Sequence, residues 1–143
     1  VYTVICIFYA VCGKECGWIL EELMASAAEF LTKNCHFVAV PHAAYYSCVL
    51  LMEYKWTDIH HSSLDDLDAQ GKLNNGLHSV LINEMAGLLR QKDYVESREF
   101  NTNIQNLRRM RVAADYKDAA CTLDTAEKAI RLQKSIISIL KKY

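Results

Sequence analysis

From Trp18 to the C-terminus the apolar residues recur at spacings of three and four, and nowhere do they alternate with polar ones. That period matches the helical turn, so the chain must bury stripes of helices rather than the face of a sheet. The pattern predicts an all-α, up-and-down bundle of about five helices. The first runs from Trp18 to about Asn34, with Ile19, Leu20, Leu23, Ala27, Phe30 and Leu31 inward and Glu21, Glu22 and Glu29 between them. A second spans about Val38 to Trp56, with Pro41 in its first turn, where the missing N–H costs little. Its inward face is Tyr45, Val49, Met52 and Trp56, widened by Ala44, Cys48 and Leu51. Residues 57–72 are polar and acidic and read as a loop or frayed turn. A third helix, from about Leu73 to Lys92, turns Leu77, Val80, Leu81, Met85 and Leu88 inward. The fourth, from about Val95 to Tyr116, carries Phe100, Ile104, Leu107, Arg111 and Ala114 on one stripe. The fifth starts at Thr122 or Asp124, both good N-caps, with Glu127 completing a capping box for Asp124. It carries Leu123, Ala126, Ile130, Ile137 and Leu140 and closes on Lys141-Lys142, a favourable C-terminal charge.

With 143 residues, 52% of them hydrophobic, the chain is long and apolar enough for one domain with a real core, which excludes global disorder. The bundle is expected over residues 18–143, preceded by an apolar leader, residues 1–17, of unclear role. The apolar run Val1–Cys12 is shorter than the roughly 20 residues a bilayer span needs, and it lacks the basic start of a signal peptide. No membrane association is therefore expected. The six cysteines are read as reduced thiols of a cytoplasmic protein, with Cys48 a small core residue. Cys12 and Cys16 miss the C-x-x-C spacing, and the adjacent pairs Cys35-His36 and His60-His61 would diverge on a helix, so no metal site is expected. Without a Gly-rich phosphate loop, no cofactor is expected either.

Charge is unevenly spread. Residues 1–89 carry a net −6 and residues 90–143 a net +5, within a total of −1. Bulk charge thus excludes a protein that coats nucleic acid or membrane. The basic half can meet phosphates, or pair with the acidic half of its own chain or of a dimer mate.

Two stretches stand out. In Arg111-Val112-Ala113-Ala114-Asp115-Tyr116, Arg111 and Asp115 stand four apart on one helix face. Arg111 falls on the apolar stripe, where a charge is expensive unless paired. In His42-Ala43-Ala44-Tyr45-Tyr46-Ser47, His42 and Tyr46 share a face while Tyr45 looks to the core. Each also fits a purely structural role, as an internal brace and as core packing.

These segments, in this order, resemble the HEPN-domain family in its small stand-alone prokaryotic form. The first is the A-x-x-Y-Y-S-like helix, Val40 to Ser47; the second is His78 followed by apolar residues; the third is the L-x-x-x-R-x-x-A-D-Y signature, Leu107 to Tyr116. A last helix with Ala126 and Ala129 completes the likeness, which covers about Trp18 to Lys142. The resemblance implies a four-to-five-helix bundle that commonly dimerises, acting as a ribonuclease or toxin, as a nucleotidyltransferase partner, or as a non-catalytic RNA- or nucleotide-binding module. The ribonuclease members carry R-x(4–6)-H. No arginine precedes any histidine here, since the last histidine is His78 and the first arginine is Arg90. The expectation therefore leans away from an enzyme and assigns no catalytic residue. It is a HEPN-like binding module of a toxin–antitoxin or nucleotidyltransferase-associated system, forming a homodimer and taking a protein partner and RNA or a nucleotide. Arg111, Asp115 and Tyr116 would form a polar cleft, helped by His42, Tyr46 and His78, with Arg108 and Arg109 offering phosphate contacts. Two alternatives stand beside it. One is an atypical RNA-cleaving toxin with Arg111 as the cation and His42 or His78 moving the proton. The other is a purely structural dimeric bundle.

Overall fold

A computed structural model describes residues 16–74, 76–116 and 121–143. The leader up to residue 15, with Cys6 and Cys12, lies outside the described residues. Among those described there are six α-helices and no strand: α1 (Cys16–Lys33), α2 (Val40–His60), α3 (Leu64–Leu73), α4 (Leu77–Lys92), α5 (Tyr94–Tyr116) and α6 (Leu123–Lys142), with a 3-10 turn (Phe37–Ala39) before α2. The all-α bundle expected from the periodicity is present. It has one helix more than expected.

The extra helix is α3, which with the end of α2 takes up most of the stretch 57–72 that reads as a loop. His61 ends α2 in a left-handed conformation, at φ 50°. Ser63 then caps α3: its hydroxyl accepts from the Asp66 N–H at 3.2 Å, and Asp66 Oδ2 accepts from the Ser63 N–H at 2.9 Å. Asp65 and Asp66 complement the dipole at this end. The acidic composition is thus a helix start. Only Leu67 and Gly71 of α3 are buried, too little for a period to show. The next helix begins at Leu77 rather than Leu73, because the chain turns at Gly76, whose φ is 102°. Gly71 lets the two helices meet: a Cβ there would stand 2.9 Å from the Leu77 backbone.

At the centre lies α2. It packs against the other five helices, and from Val40 through Glu53 every residue but His42 is buried. The single inward face expected for it is therefore replaced by burial all round, as in a helix surrounded by others. A polar tie crosses this core: Gln133 of α6 donates to Ser47 Oγ of α2 at 2.8 Å, and Ser47 donates to the Ala44 carbonyl.

Two other stripes shift. In α6 the buried set is Ala126, Ala129, Gln133, Ile136, Ile139 and Leu140, while Leu123 is exposed and Ile130 and Ile137 are half-buried. Thr122 caps this helix, accepting from the Thr125 N–H, so the Asp124 alternative does not apply. In α1 the inward face carries Glu21 and Ala28, both buried, and Ile19, Leu23 and Phe30 point away from the bundle. A carboxylate faces inward there because Lys141 of α6 reaches it, Nζ to Oε2 at 2.9 Å. A cation from the far end of the chain offsets part of the cost of burying Glu21, by proximity rather than by an aimed hydrogen bond.

Candidate functional site

The first two turns of α2, the start of α4 and the C-terminal turns of α5 converge. From α2 come His42, Tyr45 and Tyr46; from α4, His78; from α5, Arg108, Arg111, Asp115 and Tyr116. The apolar residues Phe100, Ile104 and Leu107 are fully buried and dock α5 on the core. One turn further on, the same stripe delivers Arg111, with its side chain 17% exposed, to the edge of that core.

Asp115 is held from two sides. Its Oδ2 lies 2.7 Å from Arg111 Nε and accepts from His42 Nδ1 at 3.1 Å. The Arg111 contact is an ion pair by proximity, because the Nε–H is not aimed as a hydrogen bond should be. The guanidinium lies between two aromatic rings, 5.6 Å from the centre of Tyr46 and 5.5 Å from that of Tyr116, and reaches the Tyr46 hydroxyl at 3.5 Å. The His42 ring leans on Tyr46, with centroids 4.6 Å apart. With Nδ1 occupied by the carboxylate, the Nε2 of His42 is the ring atom left for a ligand.

His78 sits deeper. Its Nδ1 is 3.1 Å from the Tyr45 hydroxyl, and its ring packs edge-on against both Tyr45 and Tyr46. Burial, reinforced by the Arg108 and Arg111 charges, pushes its pKa down to about 4. Burial likewise raises that of Tyr45, so the phenol keeps its proton, and the bond joins a neutral phenol to a neutral imidazole. At neutral pH His78 is a spacer with a fixed hydrogen bond. His42 lies nearer the surface, its side chain 31% exposed.

Seven of the eight residues singled out in the sequence thus gather here. The eighth, Arg109, is exposed and donates along its own helix, to the Gln105 carbonyl and to Asn106 Oδ1. Sequence reasoning left Tyr45 to the core. Its role as partner of His78 rests on a contact across 33 residues that no local pattern announces. Beside the cluster runs an open groove of about 710 Å³, walled by Met24, Leu31, Phe37 and Val38, with His42 and Asp115 at its polar edge. Among the described residues no group of three or more His, Cys, Asp or Glu side chains gathers as a metal site, and no helix is long and apolar enough to cross a membrane. Of the described cysteines with placed side chains, Cys48 is buried, Cys35 exposed and Cys121 half-buried, all as free thiols. No family model matches the chain, and no curated protein or solved structure matches it either.

Proposed function

We propose that the chain is a HEPN-like, non-catalytic binding module, cytoplasmic and homodimeric, whose polar cleft takes a phosphate group of RNA or of a nucleotide. Its place is in a toxin–antitoxin or nucleotidyltransferase-associated system, with a protein partner. The observation that carries the reading is Arg111. It stands at the rim of the core, sandwiched by Tyr46 and Tyr116, its side chain 17% exposed and its Nε turned to Asp115. A planar cation fixed between rings is prepared to meet a phosphate through its outer guanidinium N–H groups, and the neighbouring Arg108 adds to the field. Support comes from the motif residues and from their convergence.

The test is anisotropy of a labelled single-stranded RNA and of a nucleotide, read at low and moderate salt. Binding that weakens with salt, and weakens roughly tenfold more in Arg111→Ala, is the expected result, since one charge-assisted contact is worth about 1.4 kcal/mol. Equal binding by parent and variant overturns it.

One observation favours a second reading, RNA cleavage by an atypical site. His42 is oriented by a carboxylate and lies next to a cation, the arrangement a general base beside a phosphate requires. Here His42 Nε2 would take the 2′-hydroxyl proton. Cleavage by the parent, lost in folded His42→Ala and Arg111→Ala alike, would replace the binding reading with this one.

A further inference from the structure

A second concavity lies toward the other end of the central helix. Between the last turns of α2, the C-terminal half of α4 and the end of α6 there is a pocket of about 220 Å³. The buried residues Met85, Leu89 and Leu140 line it, together with the more exposed Ile59 and Leu88. Lys55, also in the lining, stands thirteen positions after His42, a helical rise of about 20 Å, so the pocket is distinct from the polar cleft. Its charge has one sign: Lys55 and Lys92 line it, and no Asp or Glu side chain does. Lys72, Lys134, Lys141 and Lys142 each reach a carboxylate at 2.6 to 2.9 Å. Among the described residues Lys55 and Lys92 reach none within 4.0 Å. Burial pushes the Lys55 ammonium below its ordinary pKa, and Asp58, three positions on, offsets this only in part. A cation partly withdrawn from water, with no anion in contact, is stabilised by a ligand that brings one.

We infer that this pocket binds a small aliphatic carboxylate, with its chain against Met85, Leu89 and Leu140 and its head at Lys55 and Lys92. The inference does not depend on the polar-cleft reading. Charge selects the head, because two lysines and no acidic side chain complement a single anion. The apolar lining selects the tail. A nucleotide phosphate would meet the lysines and leave that lining uncovered, while a neutral apolar guest would cover the lining and leave the lysines without a partner. Volume sets the length. A dry cavity of roughly 150 Å³ takes benzene, so about 220 Å³ holds a single chain of roughly eight carbons and excludes a two-chain lipid.

The experiment is equilibrium dialysis of the full chain at low salt against octanoate, hexanoate and octanol. It is repeated on the double variant Lys55→Met with Lys92→Met and on Ile59→Trp, with far-ultraviolet circular dichroism on each. One octanoate per chain is expected. Hexanoate, two methylenes shorter, binds about 15-fold more weakly. Loss of both lysine charges weakens octanoate roughly tenfold and leaves octanol unchanged. Ile59 is 46% exposed, so Ile59→Trp fills the pocket from its open side, keeps the helical signal and abolishes octanoate binding. No octanoate bound at millimolar concentration overturns the site. Octanol bound as tightly as octanoate, a comparison that needs no variant, overturns the carboxylate head, and so does octanoate binding unmoved in the folded lysine variant. Octanoate that still binds folded Ile59→Trp sits elsewhere and overturns the assignment to this pocket.

Discussion

Arg111 illustrates what a single side chain meets when a helix carries it to the edge of a core. On the apolar stripe of α5 it is costly to desolvate, and Asp115, Tyr46 and Tyr116 together offset that cost. A brace buried with no other support would cost a few kcal/mol on removal. Asp115, however, is 22% exposed at its side chain and also accepts from His42, so it does not become an orphaned charge when Arg111 is lost. Arg111→Ala is expected to lower unfolding stability by about 1–2 kcal/mol, between an exposed pair and a buried one. The urea midpoint reads this directly, and an unchanged midpoint would mean the ion pair contributes nothing to the fold. Much of the cluster was legible in the sequence because its members are locally patterned: Arg111 and Asp115 are four apart, and His42 and Tyr46 are four apart. The link between the two pairs was not legible in any local pattern, and only the family resemblance suggested it. It spans 73 residues, from His42 to Asp115, and exists only because α2 and α5 dock.

At the scale of elements, α3 and α1 show where periodicity succeeds and where it stops. A long helix with a regular apolar stripe announces itself, as α2, α4 and α5 do. The short α3 has too few buried residues for that, and its start is written in capping chemistry instead. Ser63→Ala should therefore cost about 1 kcal/mol, the usual worth of an N-cap hydroxyl, and raise amide exchange through residues 64–73 before it affects α2. Protection unchanged in that segment would remove the cap from its explanation. For α1 the period was right and the phase was right in part: Leu31 packs on the core and Leu20 and Ala27 are half-buried, while Ile19, Leu23 and Phe30 face outward. An apolar arc this wide gives the sequence reader no basis for choosing which part of it turns inward. The choice was made by Lys141, which neutralises Glu21 from the other end of the chain.

For the whole molecule, two buried titratable groups pull stability in opposite directions with pH. His78, held to about pKa 4, is neutral in the fold while the unfolded imidazole protonates near its ordinary value. Its contribution is present above about pH 6.5 and is lost as pH falls toward 4. Glu53, only 7% exposed on the central helix, has its carboxyl pushed up by burial to about 7. Its folded pKa lies above its unfolded value, so its contribution is present below about pH 4.5 and is lost as pH rises through about 7. Glu53→Gln, which keeps the shape and removes the charge, should raise stability at pH 8 by up to roughly 3 kcal/mol and by little at pH 4. A pH-independent effect of that substitution on the melting temperature would exclude a desolvated carboxyl as the cause.

The sequence by itself determined that the chain is helical, roughly where its long helices run, and which residues carry polar chemistry near their ends. These follow from periodicity, caps and composition, which act within a turn or two. Only the tertiary structure decided which face of α1 turns inward, that α2 is enclosed on all sides, and that His42, Arg111 and Asp115 meet. Those outcomes depend on contacts between residues tens of positions apart. Their energy is set by what each group finds opposite it, and no local pattern encodes the partner.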